Sequence, residues 1–307
     1  MINNKQLVSV ILPCYNAGAF ISQALRSVAT QTYNNWEIIA VDDCGPRDGT
    51  KELIQNFAKQ HPAHTVKFLK HDKNRGVSAA RNTGIKNADG DFIALLDPDD
   101  FWTPQHLEQA IYQFNQDKEL YFYSSFAFLF NGDDVSNIIG IEGYKDWELR
   151  AFPSILAIRN AIPNSSAILK KEVFNKIGYY DTSIQMGEDC DIWIRIMKQH
   201  LKFKINTQPT IYYRKHIDAA TSNITHLNVS KHVLSSKHLE WFSINYRRAL
   251  DAQVRQLFCL EQQLKKEQEQ RFQLEQRVRV VEQTIRKFKS LPVLKQLLKL
   301  KKYIVRN

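Results

Sequence analysis

An α/β fold, with a mostly parallel sheet flanked by helices and a helical extension behind it, is predicted by three observations. Short apolar, β-rich runs alternate with stretches of helical period through the first half of the chain. Polar clusters follow the C-terminal ends of those runs, where ligands bind in open α/β sheets. Beyond about residue 224 the composition shifts to Gln, Lys, Arg, Glu and Leu, with Pro292 the sole proline.

The elements follow in order. Val8 to Leu12 is a β-rich run ended by Pro13, and Phe20 to Gln31 has apolar residues at helical spacing. Glu37 to Val41 is a buried strand closed by Asp42 and Asp43. Asp48 to Gln60 reads as a helix with Asp48 at its N-cap. Val66 to Leu69 and Val77 to Ala88 are the third strand and helix, and Phe92 to Leu96 is a strand closed by Asp97. Pro104 to Phe114 is a helix with proline in its first turn, where the missing N–H costs little. An aromatic strand is expected over 120–130, then loops with a short helix near Trp147. Ser166 to Leu169 suggests a strand, Lys171 to Lys176 and Asp189 to Gln199 helices, and Phe203 to Tyr213 a closing strand or hairpin.

Composition narrows the class. The 307 residues are 43% hydrophobic, enough for a real core. The four cysteines are far apart with no C-x-x-C pair, which argues for a reducing compartment and against a disulfide framework or structural zinc. No apolar run reaches the ~18 residues of a spanning helix. The stretch Leu7 to Leu12 is too short for a signal-peptide core and reads as a strand. The net charge is +10, but residues 225–307 hold 18 Lys+Arg against 7 Asp+Glu, so the first 224 residues are nearly neutral. The basic end suits a membrane surface, nucleic acid or an acidic partner, although no recognition motif for nucleic acid accompanies it. Neither G-x-G-x-x-G nor G-x-x-x-x-G-K-[ST] occurs, which argues against dinucleotide dehydrogenases and P-loop NTPases.

Three acidic clusters carry the chemistry. Asp97, Asp99 and Asp100 repel one another unless a cation or donors compensate. They are either a hard divalent-cation site, where carboxylates and substrate phosphates share the ion, or a solvated turn capping the next helix. Asp42-Asp43 could read a base edge or a ribose hydroxyl, or serve the turn. Glu188, Asp189 and Asp191 open a helix, where the dipole favours acids; one of them could also be a general base. Arg75 and Arg81 lie at a helix start that suits an anionic nucleotide group. His216 is a metal ligand or a surface histidine.

Six segments now form a pattern: Val8-Ser-Val-Ile-Leu-Pro-Cys-Tyr-Asn16, Val41-Asp-Asp43, Asn74-Arg-Gly-Val-Ser-Ala-Ala-Arg-Asn-Thr-Gly84, Leu96-Asp-Pro-Asp-Asp-Phe-Trp102, Gly187-Glu-Asp-Cys-Asp-Ile-Trp193 and Tyr213-Arg-Lys-His216. In this order they resemble the family-2 glycosyltransferases, which have the GT-A fold and usually invert the anomeric centre. The resemblance covers about residues 7–217. It implies that Pro13 and Tyr15 border the nucleobase, that Asp42 hydrogen-bonds the base (most often uracil), and that Arg81 lies near the nucleotide. By the same resemblance Asp97 touches the ribose or sugar, and Asp99 binds Mn²⁺ or Mg²⁺ across the donor diphosphate. His216 matches a position that completes the metal shell in some members. Asp189 matches the catalytic base, and Glu188 shapes the acceptor pocket. Cys44 and Pro46 depart from the family's usual Gly/Ser loop after the paired aspartates.

The implied activity is transfer of a sugar from a nucleotide-diphosphate sugar, a UDP-sugar by preference, to a hydroxyl of a glycan or lipid-linked glycan. Bacterial lipopolysaccharide or capsule assembly is the implied pathway. A sugar nucleotidyltransferase is the alternative enzyme, but it needs a glycine-rich, arginine-bearing loop that Pro13-Cys-Tyr-Asn-Ala-Gly18 does not supply. A degenerate, sugar-nucleotide-binding scaffold subunit is the non-enzymatic alternative; the intact Asp99 and Asp189 argue against it.

The catalytic domain is therefore placed at 1–224 and the helical extension at 225–307. Leu250, Val254, Leu257 and Leu264, then Leu274, Val278, Val281, Ile285 and Phe288, keep a 3-4 spacing, so 250–289 is read as a self-associating coiled coil or a helix packed on the catalytic domain. Lys295, Lys299, Lys302 and Arg306 share one face of 291–307, which reads as a basic amphipathic helix for an anionic membrane interface. The expected location is cytoplasmic, peripheral on the inner face of the plasma membrane.

Overall fold

The structure is a computed structural model that describes residues 6–132, 137–216 and 232–290. The chain divides into two compact units, Met1–Ala249 and Leu250–Asn307. In the first, nine strands among the described residues form one sheet, in the order Val66–Lys70, Trp36–Asp42, Val8–Cys14, Phe92–Leu95, Ile168–Lys170, Leu120–Asn131, Lys202–Lys215 and Phe101–Trp102, with Ile138–Glu142 paired to Leu120–Asn131.

The four strands of the predicted βα half are β1 (Val8–Cys14), β2 (Trp36–Asp42), β3 (Val66–Lys70) and β4 (Phe92–Leu95). All pair in parallel, with β1 between β2 and β4. They are joined by α1 (Ile21–Ala29), α2 (Thr50–Gln60) and α3 (Val77–Lys86). Both faces of β1 are buried, which is why it reads as a continuous apolar run. Its alternation still sorts the core: Val8, Val10 and Leu12 join one cluster with α1 and α2, while Ile11 joins the other with Ile39, Val41, Ile93 and Leu95. Asp48 accepts from the Thr50 N–H at 3.1 Å, but the N-cap position itself is Gly49, at φ 85°.

The other half is mixed. β8 (Ile168–Lys170) runs antiparallel to β4, and β6 (Leu120–Asn131) antiparallel to β8. β9 (Lys202–Lys215) is one long strand beside β6, in parallel. Two strands had no sequence signal. β5 (Phe101–Trp102) is too short to show a period. β7 (Ile138–Glu142) is an edge strand whose isoleucines are exposed. The pairing Phe101↔Tyr212 is decisive for the site, because it sets residues 97–100 against the end of β9.

The remaining helices are α4 (His106–Gln116), α5 (Asp146–Arg150), α6 (Val173–Ile177) and α7 (Glu188–Lys198). Residues 232–237 are helical and precede the long helix Leu239–Ser290. The packed unit runs past the 224/225 boundary read from charge, to Ala249. His238, Asn245 and Ala249 are buried, and Leu234 packs on Ile184 and Ile194. The shift in composition thus marks where charge changes, not where packing ends. In the second unit the described seam residues from Leu250 to Val281 are exposed on the helix. Residues 291–307, with the amphipathic helix expected there, lie outside the described residues. Among the described residues no helix is long and apolar enough to cross a membrane.

One glycine tests this packing. A Cβ on Gly84 of α3 would stand 2.6 Å from Ile11 Cγ2 and 3.5 Å from Val41 Cγ2. Gly84→Ala is expected to cost about 1–3 kcal/mol by overpacking, read as a lower urea midpoint.

Candidate active site

A cavity of ≈ 1450 Å³ opens at the C-terminal ends of β1 and β4. Of the residues picked from the sequence, Pro13, Tyr15, Arg81, Asp97, Asp99, Glu188, Asp189 and His216 line it. Asp42 does not; it ends β2, accepts from the Gly45 N–H at 2.8 Å and pairs with Lys70 at 3.0 Å.

The second aspartate of that pair has an architectural task. Asp43 is buried and accepts from the Arg75 and Gly76 N–H groups at 2.9 and 2.7 Å, with His71 Nδ1 at 2.6 Å. It thereby ties the end of β2 to the start of α3, the helix that carries Arg81. Cys44 beside it adopts φ 58°, the left-handed region that favours glycine.

Arg81 is buried and holds two acids: Nη1 donates to Glu188 Oε1 at 2.5 Å and Nη2 to Asp97 Oδ1 at 2.7 Å. It joins the strand-end side of the cavity to the first turn of α7. Desolvation opposes its charge, but Asp97 and Glu188 outweigh that and hold the guanidinium charged. Asn164 Nδ2 also donates to Asp97, at 3.2 and 3.3 Å.

Within the Asp97–Asp100 turn the side chains diverge. Asp100 is buried, accepting from Ser165 Oγ at 2.5 Å and the Arg214 N–H at 3.0 Å, and it locks the turn to β9. Burial, then Asp99 and Asp97, push its carboxyl upward. Asp99 instead reaches His216, with Oδ2 3.1 Å from Nε2. Burial and then Asp97 raise the Asp99 carboxyl, with His216 opposing.

Asp189 accepts from Asn160 Nδ2 at 3.1 Å and from the Cys190 N–H at 2.7 Å. Burial, then the charge of Glu188, push its carboxyl up to about 7. A carboxylate poised near neutrality in a cavity can take a proton at working pH. Asp191, two residues on and on the opposite side of α7, is spent on structure. It pairs with Arg195 at 2.7 Å, Lys237 at 2.9 Å and His238 at 2.8 Å.

Asn160 and Asn164 carry no sequence signal for these contacts. They lie in an irregular stretch whose Pro163 and asparagines signal a loop and nothing about its target.

The Asp99–His216 pair tests whether a divalent cation fits. An oxygen and an imidazole nitrogen 3.1 Å apart line the cavity, and the acid sits where burial and a second acid leave its charge under-compensated. Among the described residues no group of three or more His, Cys, Asp or Glu could hold a metal. The pair offers a divalent cation one carboxylate and one imidazole, two of the several ligands such an ion takes.

The architecture is that of the GT-A fold. *Staphylococcus aureus* TarS 1–349 in complex with UDP-GlcNAc matches with a TM-score of 0.54 at 19% identity, over 70% of this chain and 60% of that one. The mannosyltransferase PcManGT of *Pyrobaculum calidifontis*, in complex with GDP-Man and Mn²⁺, matches with 0.53 at 19%, over 80% and 73%. At such identities the likeness establishes the fold alone. The chain belongs to glycosyl transferase family 2, whose model matches residues 9–178. It is 35% identical over 205 residues to the *Escherichia coli* UDP-Glc:alpha-D-GlcNAc-diphosphoundecaprenol beta-1,3-glucosyltransferase WfgD, covering 65% of this chain and 73% of that protein.

Proposed function

We propose that the protein moves a sugar from a UDP-sugar to a hydroxyl of a lipid-linked glycan, with inversion, in bacterial surface polysaccharide assembly such as lipopolysaccharide or capsule. The carrying observation is that Asp99, His216 and Asp189 line one cavity, with the Asp189 carboxyl near 7. WfgD's UDP-glucose donor and diphosphoundecaprenol-linked acceptor support the choice of substrates.

In this reading Pro13 and Tyr15 border the base, Asp42 stands at the strand end beside it, and Asp97 holds the ribose or sugar. Asp99 and His216 would hold Mn²⁺ or Mg²⁺, which supplies Lewis-acid stabilisation of the leaving diphosphate. Asp189 takes the acceptor hydroxyl proton as the new C1–O bond forms and the C1–O bond to the diphosphate breaks. Attack from the face opposite the diphosphate inverts C1. Glu188 and Arg81 keep α7 and Asp97 in register, which serves orientation. Self-association through 250–289 and a peripheral contact with the inner face of the plasma membrane through 291–307 extend the reading on the sequence pattern.

A panel of UDP-, dTDP- and GDP-sugars with Mn²⁺ tests the donor. Release of UDP from one UDP-sugar is the expected result. Turnover confined to GDP- or dTDP-sugars would overturn the uridine assignment.

A further inference from the structure

The cavity has a wall that lies outside the residues 9–178 matched by the family model. Leu239, Phe242, Ser243 and Tyr246 line it from the first turns of the long helix. Their spacing of 3, 4 and 7 puts them on one helical face. Leu239 is 69% exposed and Tyr246 49%, and Phe242 between them is half-buried, so the two ends of this face are not spent on the core. A different face is: His238, Asn245 and Ala249 are buried.

The wall is fastened to the element that bears Asp189. Lys237 and His238 bind Asp191 of α7, and Lys237 also binds Asp181 at 2.7 Å. Phe242 packs in the cluster that contains Cys190, the neighbour of Asp189. Ser154 donates to Asn245 Oδ1 at 2.8 Å. The wall thus keeps register with Asp189, while Pro13, Tyr15, Asp97 and Asp99 enter the cavity from the strand ends.

We propose that this face selects the acceptor by stacking a sugar ring of the acceptor glycan. The inference rests on the transferase reading above and assigns its acceptor-selecting residues. A pyranose has an apolar C–H face and a polar rim. Tyr246, Phe242 and Leu239 match the face, and Ser243 with Asn160 matches the rim. A purely aliphatic lipid would have no use for the polar partners.

Saturation-transfer NMR on the full chain with UDP bound tests this, using methyl β-glucoside, methyl β-galactoside, methyl α-N-acetylglucosaminide and the octyl counterparts. At least one methyl glycoside is expected to receive saturation at its ring C–H protons. Tyr246→Ala is expected to weaken that glycoside about five-fold, as loss of one aromatic contact does. Tyr246→Phe should retain it, and UDP affinity should be the same in all three proteins. Equal glycoside binding by Tyr246→Ala overturns the proposal. So does saturation confined to octyl chains, which marks a lipid groove, or none of any glycoside by the unsubstituted chain. Absence of UDP binding would strike instead at the transferase reading.

Discussion

Asp189→Asn is expected to lower glycosyl transfer by about 10²–10⁴-fold, the usual contribution of a general base. UDP affinity should be unchanged, because in the proposed reading Pro13 and Tyr15 border the base at the strand ends, while Asp189 sits on the first turn of α7. The pH profile gives an independent reading. Burial and Glu188 raise the carboxyl to about 7, so the base is protonated and idle below that value. The rate should therefore rise with pH through about 7 and then level. Stability runs the other way. A carboxyl raised in the folded state stabilises it below the unfolded value and loses that contribution as pH rises through the folded one. Asp189→Asn removes the ionisation, so its urea midpoint at pH 8 should exceed that of the parent. Retention of most activity by the amide, or a profile flat from pH 5 to 9, would refute Asp189 as the base.

Asp99→Asn is the second large effect. With Mn²⁺ present, calorimetry should give UDP binding weaker by at least about ten-fold, the lower end of what disturbing a metal shell costs. Without Mn²⁺ the two proteins should bind UDP alike. Transfer should fall with the metal-dependent part of binding. The amide keeps the shape of the carboxylate, and Asp100 is the residue that locks the turn, so the fold is expected to survive. Equal Mn²⁺-dependent tightening in both proteins would remove Asp99 from the metal shell.

Much of this architecture is readable in order along the chain. The βα half has clean signals because its strands are buried on both faces and its helices are amphipathic. Asp97, Asp99, Glu188 and Asp189 are legible through the six ordered segments that resemble the family; alone, acids after a strand or at a helix start read equally well as caps. The resemblance gives roles to Asp97 and Asp99 and none to Asp100; the structure adds what Asp100 does, accepting from Ser165 Oγ and the Arg214 N–H beside the β5–β9 pairing while Asp99 reaches His216. Arg81, which the resemblance places near the nucleotide, lines the cavity, and only packing shows it seated between Asp97 and Glu188. The 224/225 boundary followed charge, which local composition reports; the packed unit ends at Ala249 because His238, Asn245 and Ala249 find distant partners. The class of fold and the family are legible in sequence alone, because the alternating strand and helix periods and the six ordered segments are local patterns. Which of the neighbouring acids serves as a brace, and which helix lines the cavity beside α7, follow only from packing, because they depend on contacts between residues up to 117 positions apart.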